Sequence, residues 1–400
     1  MKIITDEKRI KELLSRGVER IIDEKSLLAK LKSGKQLIIK HGIDPTGSKF
    51  HIGRAISLWK LKEFQELGHK IVLITGSFTA QIGDASDKQA MRKPLTVQEI
   101  KENMKNYEKQ LGQILDLKKT EFNYNNTWFD KMNVKELLKL TMGFTAQQMI
   151  QRKNFKERWE QQKPIGVHEI LYPIFQGYDS FIIKADLEIG GNDQLFNLVV
   201  GREIQKMLGQ KPQDIMIFEM LLGLDGRKMS TSWGNVINTT DSADDQYGKI
   251  MSMKDDLIFD YMRLATKIPL DEIENYKKQI REKRLNHKIA KEKLAFELVK
   301  MYHGENLAQK AQKNFSTIFK EKKLPEKIET KKISGKKMPA VELLFKSGLV
   351  NSKSEARRII GQNGMKIDGK ISNDWKKEID IRNEILIQVG KRKFLRIKGN

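Results

Sequence analysis

Gln36-Leu37-Ile38-Ile39-Lys40-His41 runs directly into Gly42-Ile43-Asp44-Pro45-Thr46-Gly47-Ser48-Lys49-Phe50-His51-Ile52-Gly53-Arg54. The first six residues read as a buried strand. From Ala55 to Leu67, apolar side chains recur at Ile56, Leu58, Trp59, Leu61, Phe64 and Leu67, the spacing of a helix that buries one face. Gly68 stops that helix, and Lys70-Ile71-Val72-Leu73-Ile74-Thr75 reads as a second strand. Strand, helix and strand in this order make a βαβ unit of the doubly wound type. The loop between the first strand and the helix then lies at the carboxyl end of a parallel sheet, where such folds bind nucleotides.

The pattern continues outward from this unit. Leu187-Glu188-Ile189 reads as a short strand before a Gly-Gly turn, Asp193 to Leu208 as a helix, and Ile215 to Leu222 as a further strand. From about Ser242 the strand signals stop, and helical patterns run to about Phe319. Gly304 reads as the stop of a helix ending Met301-Tyr302-His303. A polar, Lys-rich stretch at 321–338 reads as a linker. Two helices, Ala340 to Lys346 and Lys353 to Gln362, then precede strands around Met365-Lys366-Ile367 and from Ile385 to Lys398. Asp368-Gly369 between short β runs signals a tight turn. The expected organisation is therefore an α/β, Rossmann-like parallel-sheet domain (1–241), an α-helical domain (242–320), the linker (321–338) and a small α+β domain (339–400).

Composition narrows the function classes. A chain of 400 residues is too long for one ordinary core, and 39% hydrophobic residues suit globular folding. With no cysteine, disulfides and thiolate metal sites are excluded. No apolar run reaches the ~18–20 residues of a membrane-spanning helix. The opening Met1-Lys2-Ile3-Ile4-Thr5-Asp6 carries no secretory apolar stretch, so a cytoplasmic protein is expected. Lys and Arg number 75 against 52 Asp and Glu, and this net +23 suits a polyanionic partner such as nucleic acid. Charge alone fits a merely soluble surface equally well, so motifs must decide.

Three blocks carry chemistry. In the first, His51 and Gly53 fall at a helix N-terminus, whose N–H groups and dipole attract phosphate. Gly53 also lets a flat base approach the backbone. Taken alone, this block is compatible with an ordinary capping histidine. The second, Gly226-Arg227-Lys228-Met229-Ser230-Thr231-Ser232, is a loop with a lysine and hydroxyls that can close on a triphosphate. Alone it is compatible with a surface turn. Between them stand Tyr172-Pro173-Ile174-Phe175-Gln176-Gly177-Tyr178-Asp179 and Gly190-Gly191-Asn192-Asp193-Gln194-Leu195-Phe196-Asn197.

An H-I-G-x helix start and a K-M-S-x-S loop in one α/β chain resemble the class I aminoacyl-tRNA synthetases. The intervening blocks narrow the likeness to bacterial-type tyrosyl-tRNA synthetases, over nearly the whole chain. The resemblance implies tyrosine activation by ATP with Mg2+, giving tyrosyl-adenylate and pyrophosphate, then transfer of tyrosine to the terminal adenosine of tRNA(Tyr). No protein nucleophile is needed; positioning and charge stabilisation suffice. It assigns Asp84, Tyr172 and Gln176 to the substrate α-ammonium and Asp179 to its hydroxyl, with Lys40 and Gln194 completing the tyrosine site. His41, Asp44, His51, Gly53, Arg54, Gly191, Asp193, Lys228 and Met229 fall around ATP. Thr46, His51, Lys88, Arg92, Lys228 and Ser230 fall to the catalytic charge stabilisation. The protein framework is expected to hold no metal of its own.

Three positions depart from the family pattern: Arg54 replaces a His or Asn, Thr231 a lysine, and Lys40 a tyrosine. Two rival readings are a tryptophanyl-tRNA synthetase and a catalytically idle RNA-binding relative. The C-terminal module resembles a ribosomal-protein RNA-binding domain, with Lys353, Arg357, Arg358 and Lys366 as its RNA contacts. The resemblance also implies a homodimer, with the helix-rich segment 125–160 as the expected interface.

Overall fold

The computed structural model of the chain describes residues 2–45, 49–83, 95–230, 233–319, 328–350, 352–390 and 393–399. Backbone packing divides it into two units: residues 1–241 with 253–290, and residues 242–252 with 291–400. The helical stretch expected at 242–320 is thus shared between them.

The first unit is built on a six-stranded sheet. Its strands are β1 (Val18–Ile22), β2 (Ile38–Ile43), β3 (Lys70–Thr75), β4 (Thr120–Tyr124), β5 (Leu187–Gly191) and β6 (Asp214–Phe218). The spatial order is β1-β6-β5-β2-β3-β4, all parallel except β1, which runs antiparallel to β6. Ile71, Val72, Leu73 and Ile74 are all buried, as are Ile215, Met216 and Ile217. These are continuous apolar runs, the signature of a sheet covered on both faces. The sequence reading missed β1 and β4. Val18-Glu19-Arg20-Ile21-Ile22 carries two charges on an edge strand, and Thr120-Glu121-Phe122-Asn123-Tyr124 is a mixed edge strand, so neither shows the apolar run of a central strand.

The helix of the βαβ unit spans Ile52–Glu66, beginning three residues earlier than its apolar pattern. The reason is its cap: His51 Nδ1 accepts from the Arg54 backbone N–H at 3.3 Å. Helices Val167–Ile182 and Leu195–Met207 pack against each other at glycines. A Cβ on Gly177 would lie 3.0 Å from the Gly201 Cα, so a side chain there would push the two helices apart by a few tenths of an ångström, while a Cβ on Gly201 would meet the Gln213 amide at 2.9 Å.

The second unit contains helices Ala243–Ser252 and Glu305–Phe319, followed by a small α+β part. Its strands are β7 (Thr330–Ile333), β8 (Lys337–Pro339), β9 (Met365–Ile367), β10 (Lys370–Ile371), β11 (Glu378–Asp380), β12 (Ile385–Val389) and β13 (Lys393–Gly399). They form a five-stranded sheet, β10-β9-β12-β13-β7, and a β11-β8 pair. β7 and β8 fall in the polar stretch 321–338 and its edge. Helices Ala340–Ser347 and Lys353–Gly361 bury Leu343, Leu344, Ala356 and Ile360 against Met365, Ile387 and Ile397. Asp368 and Gly369 both take positive φ, 47° and 80°, which makes the tight β9–β10 turn their sequence announces.

Candidate active site

The strand order decides where a site can form. From β2 the chain proceeds to β3 and β4 on one side, then returns to β5 and β6 on the other. The loops leaving β2 and β5 therefore diverge, and a crevice opens at their carboxyl ends. A cavity of about 360 Å³ lies there, lined by the ends of both strands, His41 to Asp44 and Glu188 to Gly191. His51, Gly53, Arg54, Tyr172, Gln176, Asp179, Asp193, Gln194, Lys228 and Met229 complete much of its wall. Segments separated by nearly two hundred residues in sequence thus meet.

One end of the cavity is built for anionic groups. His51 sits at the N-terminus of helix Ile52–Glu66 as its cap, and burial, with Arg54 and Lys228 nearby, pushes its imidazole down to about 4. It is neutral near pH 7, with Nδ1 accepting from the Arg54 N–H, so the ring proton belongs on Nε2. The two signature motifs touch: a Cβ on Gly53 would come within 2.8 Å of Met229 Sδ. Glycine at 53 is what lets the loop methionine seat on the helix start. Lys228 Nζ stands 4.0 Å from Asp193, and Arg54 Nη1 lies 3.5 Å from the Tyr107 hydroxyl.

The loop itself is held by a side chain absent from the sequence reading. Asn235 accepts from the Ser230 N–H at 2.8 Å and donates to the Lys228 carbonyl at 3.1 Å and to Asp225 at 2.8 Å. Asp225 in turn binds the Arg227 guanidinium, which lies over the Trp233 ring, 4.8 Å from its centroid. Ser230 is part of this arrangement, though not of the cavity wall.

The other end is built for a polar aromatic or amphipathic ligand. Tyr172, Gln176 and Asp179 are spaced i, i+4 and i+7 on helix Val167–Ile182, so they share the face turned to the cavity. The Tyr172 hydroxyl donates to Asp44 at 2.9 Å, and Thr79 donates to the other Asp44 oxygen at 3.1 Å. Asp179 is only 4% exposed. The Trp128 indole N–H donates to one of its oxygens at 2.9 Å and Asn125 to the other at 3.3 Å. Burial raises its pKa to about 7, against the opposing pull of Lys40 and those two donors. Trp128, Asn125 and Thr79 were missed from sequence. They come from the segments that follow β4 and β3, and no local pattern marks a side chain that matters only once the sheet has formed.

His41, half-buried, has its Nδ1 2.9 Å from the Ile189 carbonyl, which makes it a donor there. Its Nε2 lies 3.2 Å from Ser57, and burial lowers its pKa. It lines the cavity while tying β2 to β5. Lys40 does not line the cavity; its ammonium is turned behind the wall onto Glu188, 2.9 Å away. Thr46, Asp84, Lys88, Arg92 and Thr231 lie outside the described residues. No group of three or more His, Asp or Glu side chains is arranged to hold a metal ion among the described residues.

In the C-terminal part, Lys353, Arg357 and Arg358 are exposed on a helix whose Ala356 and Ile360 face the core. Lys353 pairs with Glu342 at 2.6 Å, Arg357 lies over the Trp375 ring at 4.8 Å, and Arg358 reaches Gln362 at 3.3 Å. Lys366 lies on β9.

Comparison with known proteins gives this arrangement a context. The family model of class I tRNA synthetases (W and Y) matches residues 32–320. The tyrosine--tRNA ligase of Thermotoga maritima is 43% identical over 397 residues, which is 99% of this chain and 98% of that protein. The Aquifex aeolicus tyrosine--tRNA ligase is 40% identical over 395 residues, 98% of this chain and 99% of that one. Among solved structures, a C-terminally truncated Aspergillus nidulans mitochondrial tyrosyl-tRNA synthetase shares the fold, with a TM-score of 0.64. It is 21% identical, over 78% of this chain and 94% of that one. With the family model spanning most of the sequence and near-full-length relatives at 40% identity or more, the chain belongs to the class I tRNA synthetases of the W and Y family.

Proposed function

We propose that this protein is a tyrosine--tRNA ligase that forms tyrosyl-adenylate from tyrosine and MgATP and passes the tyrosyl group to tRNA(Tyr). The observation that carries the reading is the shared cavity face of Tyr172, Gln176 and Asp179, opposite a neutral His51 at a helix start. The substrate hydroxyl donates to Asp179, and its ammonium meets the oxygens of Gln176 and Tyr172, with Asp84 alongside. Phenylalanine sets a ring edge against the buried Asp179 carboxylate and gives it no donor beyond Trp128 and Asn125, so the hydrogen bond of the substrate hydroxyl is lost with nothing in its place. Near-full-length identity to enzymes named tyrosine--tRNA ligases supports tyrosine over tryptophan.

With substrate held there, the carboxylate attacks the α-phosphorus in line and pyrophosphate leaves with magnesium. His51 Nε2–H, the helix N-terminus, Lys228 and Arg54 face the phosphates, and Thr46, Lys88 and Arg92 add to them. Asp193 and Gln194 take the adenylate ribose and the aminoacyl part. The enzyme works in the cytoplasm as a homodimer. Val134, Leu138 and Met142 form an apolar stripe 72%, 57% and 86% exposed on and just beyond helix Val134–Thr141, within the segment expected to pair. The C-terminal module, through Lys353, Arg357, Arg358 and Lys366, grips the tRNA phosphates.

ATP–pyrophosphate exchange with tyrosine, tryptophan and phenylalanine tests this reading. Exchange with tyrosine alone is expected. Exchange driven by tryptophan moves the substrate within the family, and silence with all three overturns the activation step.

A further inference from the structure

In the wall of the amino-acid end of the cavity lies an ion pair that no step of the reaction touches: Glu188 lines the cavity and Lys40 stands behind it. Lys40 is 0% exposed and Glu188 1%, with Nζ 2.9 Å from Oε1. The ammonium also donates to the Gln176 carbonyl and the Ser180 hydroxyl, both at 2.7 Å. Glu188 accepts further bonds from Ser180 at 3.0 Å, Gln213 at 2.6 Å and the Gln176 side-chain amide at 3.1 Å. A buried pair of this kind is no better a stabiliser than apolar side chains of the same volume. Its use lies in what it dictates to its neighbours.

An amide side chain has a donor end and an acceptor end of nearly the same shape, and its partners decide which way it faces. A carboxylate only accepts, so Glu188 takes the N–H end of Gln176 and leaves its oxygen on the other side. Asn197, fully buried, donates from Nδ2 to that oxygen at 2.9 Å and to the Gln194 oxygen at 3.0 Å. The polarity therefore passes from residue to residue: Lys40, Glu188, Gln176, Asn197, Gln194. A glutamine at 188 with no cation at 40 could instead turn its own N–H end toward Gln176. Gln176 could then present its N–H end to the cavity.

We infer that the Lys40–Glu188 pair is a polarity lock: it orients the Gln176 amide so that an acceptor oxygen is offered to the substrate ammonium, and it extends through Asn197 to Gln194. Lys40 and Glu188 are positioning residues, and the inference rests on the proposed role of Gln176 as an ammonium acceptor. Lys40 and Glu188 act on Asp179 with opposite sign, Lys40 the more strongly, so removing both together partly offsets there. What remains acts alike on any ligand that carries the hydroxyl, so the hydroxyl end of the pocket is a built-in control.

The experiment measures dissociation constants of L-tyrosine and of 3-(4-hydroxyphenyl)propionate, which lacks the ammonium. The proteins are wild type, K40M/E188Q, Q176M and the triple combination. In K40M/E188Q, L-tyrosine is expected to weaken by about tenfold or more, the worth of one hydrogen bond to a charged group. The deaminated analogue should stay within about twofold, and the pair substitution should add nothing on the Q176M background. Equal weakening of both ligands, full additivity with Q176M, or unchanged tyrosine binding each overturns the lock. Should K40M/E188Q not fold, Asn197→Asp exchanges a donor for an acceptor, which harms glutamines that accept there and suits glutamines that donate. A loss of L-tyrosine affinity of about tenfold is then expected, and unchanged or tighter binding overturns the lock. Wild-type protein that binds neither ligand refutes the tyrosine reading itself, a separate result.

Discussion

Asp179 carries a pKa of about 7, raised from 3.8 chiefly by burial, and this has a direct consequence for substrate binding. The carboxylate form is lost as pH falls through 7, so KM for tyrosine should rise between pH 8 and pH 6, approaching about tenfold per unit below 7. Discrimination against phenylalanine should narrow over the same range, because a protonated acid costs less to leave unpaired. Exchange kinetics against pH check both, with Asp179→Asn as the flat control; a KM independent of pH would contradict the assignment. His69 shows the opposite shift. It is buried, its Nδ1 accepts from the Leu37 N–H at 3.3 Å, and burial lowers its pKa from 6.5 to about 4. The unfolded chain then binds the extra proton first, so this contribution to stability is complete above pH 6.5 and is lost as pH falls toward 4. Thermal melts should show wild type losing Tm across that window more steeply than His69→Asn. At this scale the sequence was informative where a residue belongs to a local motif. Asp179, Gln176 and His51 were legible on that ground, whereas Trp128 and Asn125 acquire meaning only by arriving beside Asp179 from about fifty residues away.

Among the elements, the loop from Gly223 to Asn235 was half legible. Lys228 and Met229 stand in the motif, but the side chain that holds the loop lies beyond it. Asn235 bonds Ser230, Lys228 and Asp225 at once, and a Cβ on Gly223 would come within 2.4 Å of its amide. Asn235→Ala should lower the exchange kcat by about tenfold, on the order of two hydrogen bonds, and leave KM for tyrosine unchanged. Steady-state exchange separates the two constants, and a shift confined to the tyrosine KM would be inconsistent with a loop-positioning role. Helix Val134–Thr141 falls within the helix-rich segment 125–160 nominated from sequence as the interface, though nothing in the sequence reading marked its bounds. Its capping box, Asn133 with Glu136, explains why it forms, while Val134, Leu138 and Met142 remain in solvent. Leu138→Asp should shift the protein from dimer to monomer in sedimentation velocity, with the secondary structure intact by circular dichroism. A dimer that persists through this change would place the interface elsewhere.

For the molecule as a whole, the C-terminal α+β part draws its core, among the described residues, from 333–397. A chain ending near residue 320 should therefore keep tyrosine-dependent exchange within about twofold. It should lose aminoacylation efficiency by about tenfold or more, as phosphate contacts are removed. Both assays on the same truncated protein check this, and undiminished aminoacylation would remove the RNA role from the module. The net charge of +23 pointed toward a polyanion without locating it. By itself the sequence determined the βαβ start, the helix stops at Gly68 and Gly304, the tight turn at Asp368-Gly369 and the signature loops, because each rests on periodicity or chemistry local in the chain. Only the tertiary structure decided the rest. Strand order opened the crevice between β2 and β5, and Gly53 came to rest under Met229. Lys40 turned away from the cavity to face Glu188, because a buried charge settles on whichever partner the finished fold brings within reach.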